Sequence, residues 1–144
     1  MMRWLILRAA GREIALPVAV VDEVVEIETP LPAPAVGAVV RGLVPIRGRL
    51  VPVVHLASAV GIGAMGAEAG AIGVAVRAAG RRLVMEVDEV IDLVESPEER
   101  LPRGWQGSWA TNALRRGGDI VPVLDVEWVV ERLLRGAEGT MATA

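Results

Sequence analysis

The chain contains Arg8-Ala9-Ala10-Gly11-Arg12 and, about 70 residues later, Arg77-Ala78-Ala79-Gly80-Arg81. In both places an apolar run precedes the pentapeptide and a second apolar run follows it. The Ala-Ala-Gly centre predicts a tight turn, because glycine readily adopts the positive φ that a short hairpin turn needs. Each copy is therefore predicted to form a β-hairpin.

Two further blocks repeat in the same order. Val21-Asp22-Glu23-Val24 recurs as Val87-Asp88-Glu89-Val90, and Leu50-Val51-Pro52-Val53-Val54 recurs as Ile120-Val121-Pro122-Val123-Leu124. Three matches in one order indicate that the chain consists of two similar β lobes. A duplicated β unit with few chemically reactive side chains is more typical of a binding module than of an enzyme.

The repeat also predicts the organisation of the domain, which should span residues 1–135. Its parts are predicted to be lobe one at roughly 3–60, a Gly- and Ala-rich connector at 61–71, lobe two at roughly 72–125, an amphipathic helix at 126–135 and a disordered tail at 136–144.

The predicted strands are short apolar or alternating runs bounded by turn residues: Trp4–Arg8, Glu13–Pro17, Val24–Thr29, Gly42–Ile46, Leu50–Val54, Ile72–Arg77, Arg82–Val87, Val90–Glu95, Ser108–Leu114 and Ile120–Leu124. Single helical turns are predicted at Val18–Glu23 and from Ser96, where Ser-Pro-Glu-Glu resembles a helix start. Short, evenly spaced strands predict a mainly β protein, either a barrel or a sandwich.

Composition excludes several functional classes. Without cysteine the chain has no disulfide, no thiol nucleophile and no cysteine-ligated metal, which fits the cytoplasm. The net charge is −3 and no basic stripe accumulates, which argues against nucleic acid as a partner. No uncharged apolar run is long enough for a membrane span, so no direct membrane insertion is expected.

Candidate catalytic and cofactor groups are few. None of the serines has a G-x-S-x-G context, and His55 is the only histidine, so neither a nucleophile–base pair nor a zinc site is predicted. His55 ends an apolar strand, and a capping or core-edge role is expected. Gly61–Gly66 has G-x-G-x-x-G spacing, but the glycines and the strand that follow favour a linker over a dinucleotide site. No cofactor and no enzymatic activity are therefore expected.

The turn at Arg47-Gly48 is the strongest candidate for a binding site. An arginine in a hairpin turn is either simply solvated or an anchor at a protein interface, where arginine is enriched. Glu23 has the same two interpretations, as a solvated residue at a strand entry or as an exposed partner contact. The residues alone leave both alternatives open.

Residues Gly42–Leu56, with an Arg-Gly turn followed by an apolar strand with an internal proline, resemble the central motif of CheW, the bacterial chemotaxis coupling protein family. The resemblance extends over roughly residues 3–135. Pro45 stands where the family usually has Asn, His55 where it has Asp, and the family's usual aromatic residues are missing.

The resemblance implies two SH3-like five-stranded β-barrel lobes and a non-catalytic adaptor. Such an adaptor joins the regulatory domain of a CheA-type histidine kinase to the cytoplasmic tip of chemoreceptors, in arrays at the inner membrane. Arg47 and Gly48 would then belong to the receptor-binding surface, with Glu23 nearby. The alternatives are an adaptor of another CheA-like pathway, in twitching or development, or a small-ligand-binding β module.

Overall fold

The computed structural model describes residues 1–32 and 39–143, and these residues form a mainly β structure, as predicted. The strands are β1 Met2–Ala9, β2 Arg12–Pro17, β3 Val21–Glu26, β4 Val40–Ile46, β5 Arg49–His55, β6 Ile72–Ala78, β7 Arg81–Val87, β8 Glu89–Ser96, β9 Ala110–Arg116 and β10 Asp119–Leu124. The helices are α1 Leu56–Ala59 and α2 Val126–Thr143, with a 3-10 turn at Val18–Val20.

Four hairpins are closed by two-residue turns of one type. Both central residues of each turn have positive φ, which is the type I′ geometry whose twist matches that of the flanking strands. In the repeated pentapeptide the first position is alanine, with φ of 50° at Ala10 and 53° at Ala79. The turn between β4 and β5 instead has Arg47 at this position, with φ of 51°.

The strands form two five-stranded sheets. The first has the order β8-β1-β2-β10-β9 and the second the order β3-β6-β7-β5-β4. The repeat relates β1–β5 to β6–β10, and under this correspondence the two sheets have the same strand order. The register agrees as well, because Val123 pairs with Ala15 where Val53 pairs with Val84.

The strand pairing does not follow the predicted division into lobe one at 3–60 and lobe two at 72–125. Hairpin β1–β2 pairs with β8 and β10 from the second half of the chain, and hairpin β6–β7 pairs with β3 and β5 from the first. The halves have thus exchanged their first hairpins. The sequence could not show this, because both copies of the hairpin carry the same apolar pattern.

Two helical predictions differ from the structure. Ser96 ends β8 and the following segment stays extended, because Glu99 exchanges backbone hydrogen bonds of 2.7 and 2.9 Å with Ala113. Helix α2 begins at Val126 as predicted but continues to Thr143, through most of the segment expected to be a disordered tail. A glycine such as Gly136 costs a helix only about 1 kcal/mol and need not end it.

Three apolar clusters fill the structure, and the largest lies between the sheets. It takes Leu5 and Leu7 from the first sheet and Leu83 and Met85 from the second, together with residues of α1 and α2. Each sheet also encloses a smaller cluster of its own. Strand β1 contributes to two clusters, because alternate residues such as Ile6 face the interior of their own sheet. The exchanged hairpins are therefore buried on both faces.

The two sheet interiors are filled differently at equivalent positions. In the first sheet, Trp4 is buried against the small Ala15, and its Nε1 donates a hydrogen bond of 2.9 Å to the Ser96 carbonyl. The equivalent positions of the second sheet hold Gly73 and the larger Val84. In the first sheet the β1 residue is large and the β2 residue is small, whereas in the second sheet the β6 residue is small and the β7 residue is larger. Each interior is therefore filled.

We expect Gly73→Ala to destabilise the protein by about 1–3 kcal/mol, the usual cost of overpacking a filled interior. A Cβ at this position would overlap Val84 Cγ1 and lie 3.0 Å from Ile27 Cδ1. The control is Gly66→Ala, whose Cβ would meet no atom within 4 Å. Urea unfolding measures both variants, and equal midpoints would contradict this account of the packing.

The hairpin exchange predicts that neither half of the chain folds alone. Fragments 1–66 and 67–144 each lack the hairpin that completes their sheet, so each should be unfolded by circular dichroism, whereas the equimolar mixture should recover the strand signal. A fragment 67–144 that unfolds cooperatively by itself would show that the exchange is not required.

Candidate functional site

Arg47 and Gly48 form the turn between β4 and β5, at one end of the second sheet. The Arg47 side chain is 72% exposed, and its Nε lies 3.5 Å from Oε1 of Glu23. The three residues that the sequence singled out are thus brought together. Asp22, next to Glu23, pairs instead with Arg77, whose Nε lies 2.6 Å from its Oδ1.

The Arg47–Glu23 pair joins the two edges of one sheet. Glu23 lies in β3 and Arg47 follows β4, which are the edge strands of that sheet, so the sheet curves until its edges approach each other here. In the other sheet, Arg116 of edge strand β9 lies 3.0 Å from Asp92 of edge strand β8. An exposed ion pair contributes about 0–1 kcal/mol. Arg47 can therefore change partners at little cost to stability.

A second polar cluster is buried beside the connector. Glu86 is only 6% exposed and accepts two hydrogen bonds from Arg41, of 2.9 Å from Nε and 3.0 Å from Nη2. Arg41 also donates to the Gly66 carbonyl at 2.6 Å, and the Gly70 backbone N–H donates to Glu86. His55 Nε2 lies 3.9 Å from the same carboxylate. The cluster fastens the connector onto the second sheet.

The pKa of Glu86 reflects this environment. Burial alone would raise the pKa, but the hydrogen bonds from Arg41 and from the Gly70 backbone, the positive charge of Arg41 and a smaller effect of His55 together hold it below the ordinary value of 4.5. The carboxylate is therefore stabilised in its charged form, as a buried ion pair requires.

His55 has a capping role, which confirms the expectation from the sequence. Its Nδ1 accepts a hydrogen bond of 3.2 Å from the Ser58 backbone N–H at the start of α1. At the equivalent position of the repeat, Asp125 Oδ1 accepts a bond of 3.2 Å from the Trp128 backbone N–H at the start of α2. Histidine and aspartate thus cap the two helices in the same way.

The segment Gly61–Gly66 does not lead into a helix. It follows α1, and the next element is β6, so no helix N-terminus is aimed at a bound phosphate. Among the side chains of residues 1–32 and 39–135, no group of three or more His, Asp or Glu residues could hold a metal ion. Within residues 1–32 and 39–143, no helix has the length and hydropathy needed to cross a membrane.

Comparison with known proteins identifies the family. The sequence profile of the CheW-like domain matches residues 3–134. The chain belongs to the CheW-like domain family. A similar solved structure is the crystal structure of the scaffolding protein TtCheW from Thermoanaerobacter tengcongensis, with a TM-score of 0.80, 19% identity, and coverage of 90% of this chain and 92% of that one. At this identity the likeness establishes the fold. No curated protein matches the chain.

Pro45, which departs from the CheW pattern noted in the sequence, fits the ladder without loss. Ile46 and Arg49 flank the turn as a hydrogen-bonded pair, so the next pair, Pro45 and Leu50, is a non-hydrogen-bonded one. The proline nitrogen therefore faces away from β5. β4 is the edge strand of its sheet, and among the described residues its outer side carries only an isolated backbone bridge, between Leu43 and Leu31. Pro45 removes no hydrogen bond and restricts the backbone just before Arg47.

Sequence reasoning missed the Arg41–Glu86 pair. The available signal was a charged residue inside the apolar run Leu83–Val87, since glutamate is rarely buried unless it is paired. Arg41 is distant in the sequence and gave no sign of being the partner. Only the pairing of β5 with both β4 and β7 brings the two side chains together.

We expect Glu86→Gln to destabilise the protein by about 3 kcal/mol at pH 7, because the charge of Arg41 loses its buried partner. The loss is near the lower end of the range for breaking a buried ion pair, because the glutamine amide keeps one hydrogen-bond acceptor. Because the pKa of Glu86 is lowered by folding, its contribution is complete above the unfolded value of 4.5 and is lost as the pH falls through the folded pKa. The difference between the two proteins should therefore shrink in acid.

Urea unfolding of both proteins at a series of pH values measures this difference. The control is Glu68→Gln, an exposed glutamate of the same connector, which should leave the midpoint unchanged. A Glu86→Gln difference that stays constant down to pH 3 would show that the carboxylate charge is not the stabilising feature.

Proposed function

We propose that this protein is a non-catalytic adaptor that couples a CheA-type histidine kinase to chemoreceptors. The observation that carries the proposal is the match of the CheW-like domain to residues 3–134. The similar structure is that of a scaffolding protein, which agrees with this role. The role places the protein in the cytoplasm, at receptor arrays beside the inner membrane.

In this proposal Arg47, Gly48 and Glu23 form part of the receptor-binding surface. Arg47 is exposed and makes only one ion pair among the described residues, at 3.5 Å with Glu23. Its guanidinium therefore has donors left for a partner, and arginine is among the residues that most often dominate binding energy. Gly48 has a φ of 80°, so it keeps the turn that presents Arg47.

The fold supports transmission by fixed geometry. Each sheet contains a hairpin from the other half of the chain, and the two sheets share the largest apolar cluster, so one sheet cannot turn against the other without exposing that cluster. A partner bound to one sheet is consequently held at a set orientation to a partner bound to the other. An adaptor built in this way needs no chemistry of its own.

The first test is a calorimetric titration with the regulatory domain of a CheA-type kinase from the same genome. We expect saturable binding with one kinase domain per adaptor. An absence of binding to every such kinase of that genome would overturn the coupling role while leaving the family assignment in place.

Arg47→Ala tests the receptor-binding surface. We expect its affinity for a receptor cytoplasmic fragment to fall about tenfold, the loss of about 1.4 kcal/mol expected when an interface anchor is removed. The fold should be intact, because the equivalent turn position of the repeated hairpins is already alanine, at Ala10 and Ala79. The readout is co-sedimentation with the receptor fragment.

The matched control is Arg115→Ala. It removes another exposed arginine, 58% accessible, whose Nε lies 3.3 Å from Glu99 in the other sheet. Its receptor affinity should equal that of the unchanged protein. Equal losses in both variants would show that the effect is one of overall charge and would remove Arg47 from the proposed site.

A further inference from the structure

A groove of about 370 Å³ opens between the start of β5, the turn between β6 and β7, and helix α2. Much of its lining is apolar. Leu50 is 57% exposed, Val51 and Leu83 are buried, and Leu133 and Leu134 are half-buried. Because β5 and β7 run parallel, the groove lies at the same end of the sheet as the Arg47 turn.

Three arginines also line this groove. Arg49, Arg81 and Arg82 are all exposed, and none of them forms an ion pair with a side chain of residues 1–32 or 39–135. Three neighbouring positive charges repel one another, and the protein as a whole carries a net charge of −3. An anionic partner would relieve this local repulsion.

The repeat supplies an internal comparison. A second groove of about 370 Å³ lies at the equivalent place in the first sheet. There Asp119 occupies the position of Arg49 and Glu13 that of Arg82, while the third position remains arginine. The fold thus builds the same groove twice with different charges, so packing does not require the basic set.

We propose that the groove lined by Arg49, Arg81 and Arg82 binds an acidic, amphipathic peptide segment of a partner protein. Apolar side chains of the segment cover Leu50 and the half-buried leucines of α2. Carboxylates of the segment accept charge-assisted hydrogen bonds from the arginines, whose planar donors match a carboxylate well.

The shape of the groove favours a peptide over an anionic lipid surface. Val51 and Leu83 are buried whereas the three arginines are exposed, so a flat membrane would reach the charges without filling the groove. A peptide side chain can enter the groove while its acidic neighbours stay at the rim, as in other helix-in-groove complexes.

The test uses a fluorescently labelled synthetic peptide with leucine at i and i+4 spacing, glutamate next to each leucine and alanine at the remaining positions, which favours an amphipathic helix. Fluorescence anisotropy should show saturable binding to the unchanged protein. The double variant Arg49→Asp/Arg82→Glu should bind about tenfold more weakly or worse, because two donor sites become repulsive. The first sheet already holds Asp119 and Glu13 at these positions, so the fold should accept the change.

Two controls isolate the groove. Arg100→Asp/Arg103→Glu changes the net charge equally at exposed positions outside it and should bind like the unchanged protein. A peptide with lysine in place of glutamate should not bind. Equal binding by both double variants, or none by the unchanged protein, would overturn the proposal.

Co-sedimentation with phosphatidylglycerol vesicles addresses the membrane alternative. If vesicle binding required Arg49 and Arg82 and the protein did not bind the acidic peptide, the ligand of the groove would be an anionic lipid surface and the peptide proposal would be overturned. The inference does not rest on the adaptor role, because the peptide is synthetic. A protein that binds the kinase domain but not the peptide would overturn the groove assignment alone.

Discussion

The structure depends on the apolar contact between the two exchanged hairpins. Strands β1 and β2 belong by sequence to the first half of the chain but complete the sheet of the second half, and β6 and β7 do the reverse. Leu5 and Leu7 of one hairpin and Leu83 and Met85 of the other lie in the same buried cluster. Because each hairpin is buried on both faces, neither sheet can be completed unless the other forms. The fold is consequently a single unit, although the sequence consists of two similar halves.

The interiors of the two sheets can differ in sequence as long as the total side-chain volume is kept. The first sheet has Trp4 and Ala15 where the second sheet has Gly73 and Val84, so both sheet interiors are filled. The only charged residue buried in the described parts of the chain is Glu86, and Arg41 and the connector backbone satisfy its carboxylate. The connector is thereby held against one sheet.

Function can be sought where the two repeats differ on the surface. Equivalent turns have Arg47-Gly48 in one repeat and Gly117-Gly118 in the other, and equivalent grooves are basic in one sheet and mixed in the other. Packing is preserved by the pseudo-symmetry, so these differences are not needed for the fold. Arg47 is exposed and forms a weak ion pair with Glu23, so it can leave Glu23 and contact a partner protein at little cost.

The sequence by itself determined the local structure: the hairpin turns, the strands between them, the start of α2 and the candidate turn at Arg47. These follow from short-range rules, because turn type, strand alternation and helix periodicity are set by neighbouring residues. Only the tertiary structure decided which hairpin completes which sheet, that Arg41 meets Glu86, that the segment after Ser96 is extended, and that three arginines surround one groove. Each of these depends on long-range pairing, and two copies of one apolar pattern leave the choice of partner open until the whole chain has packed.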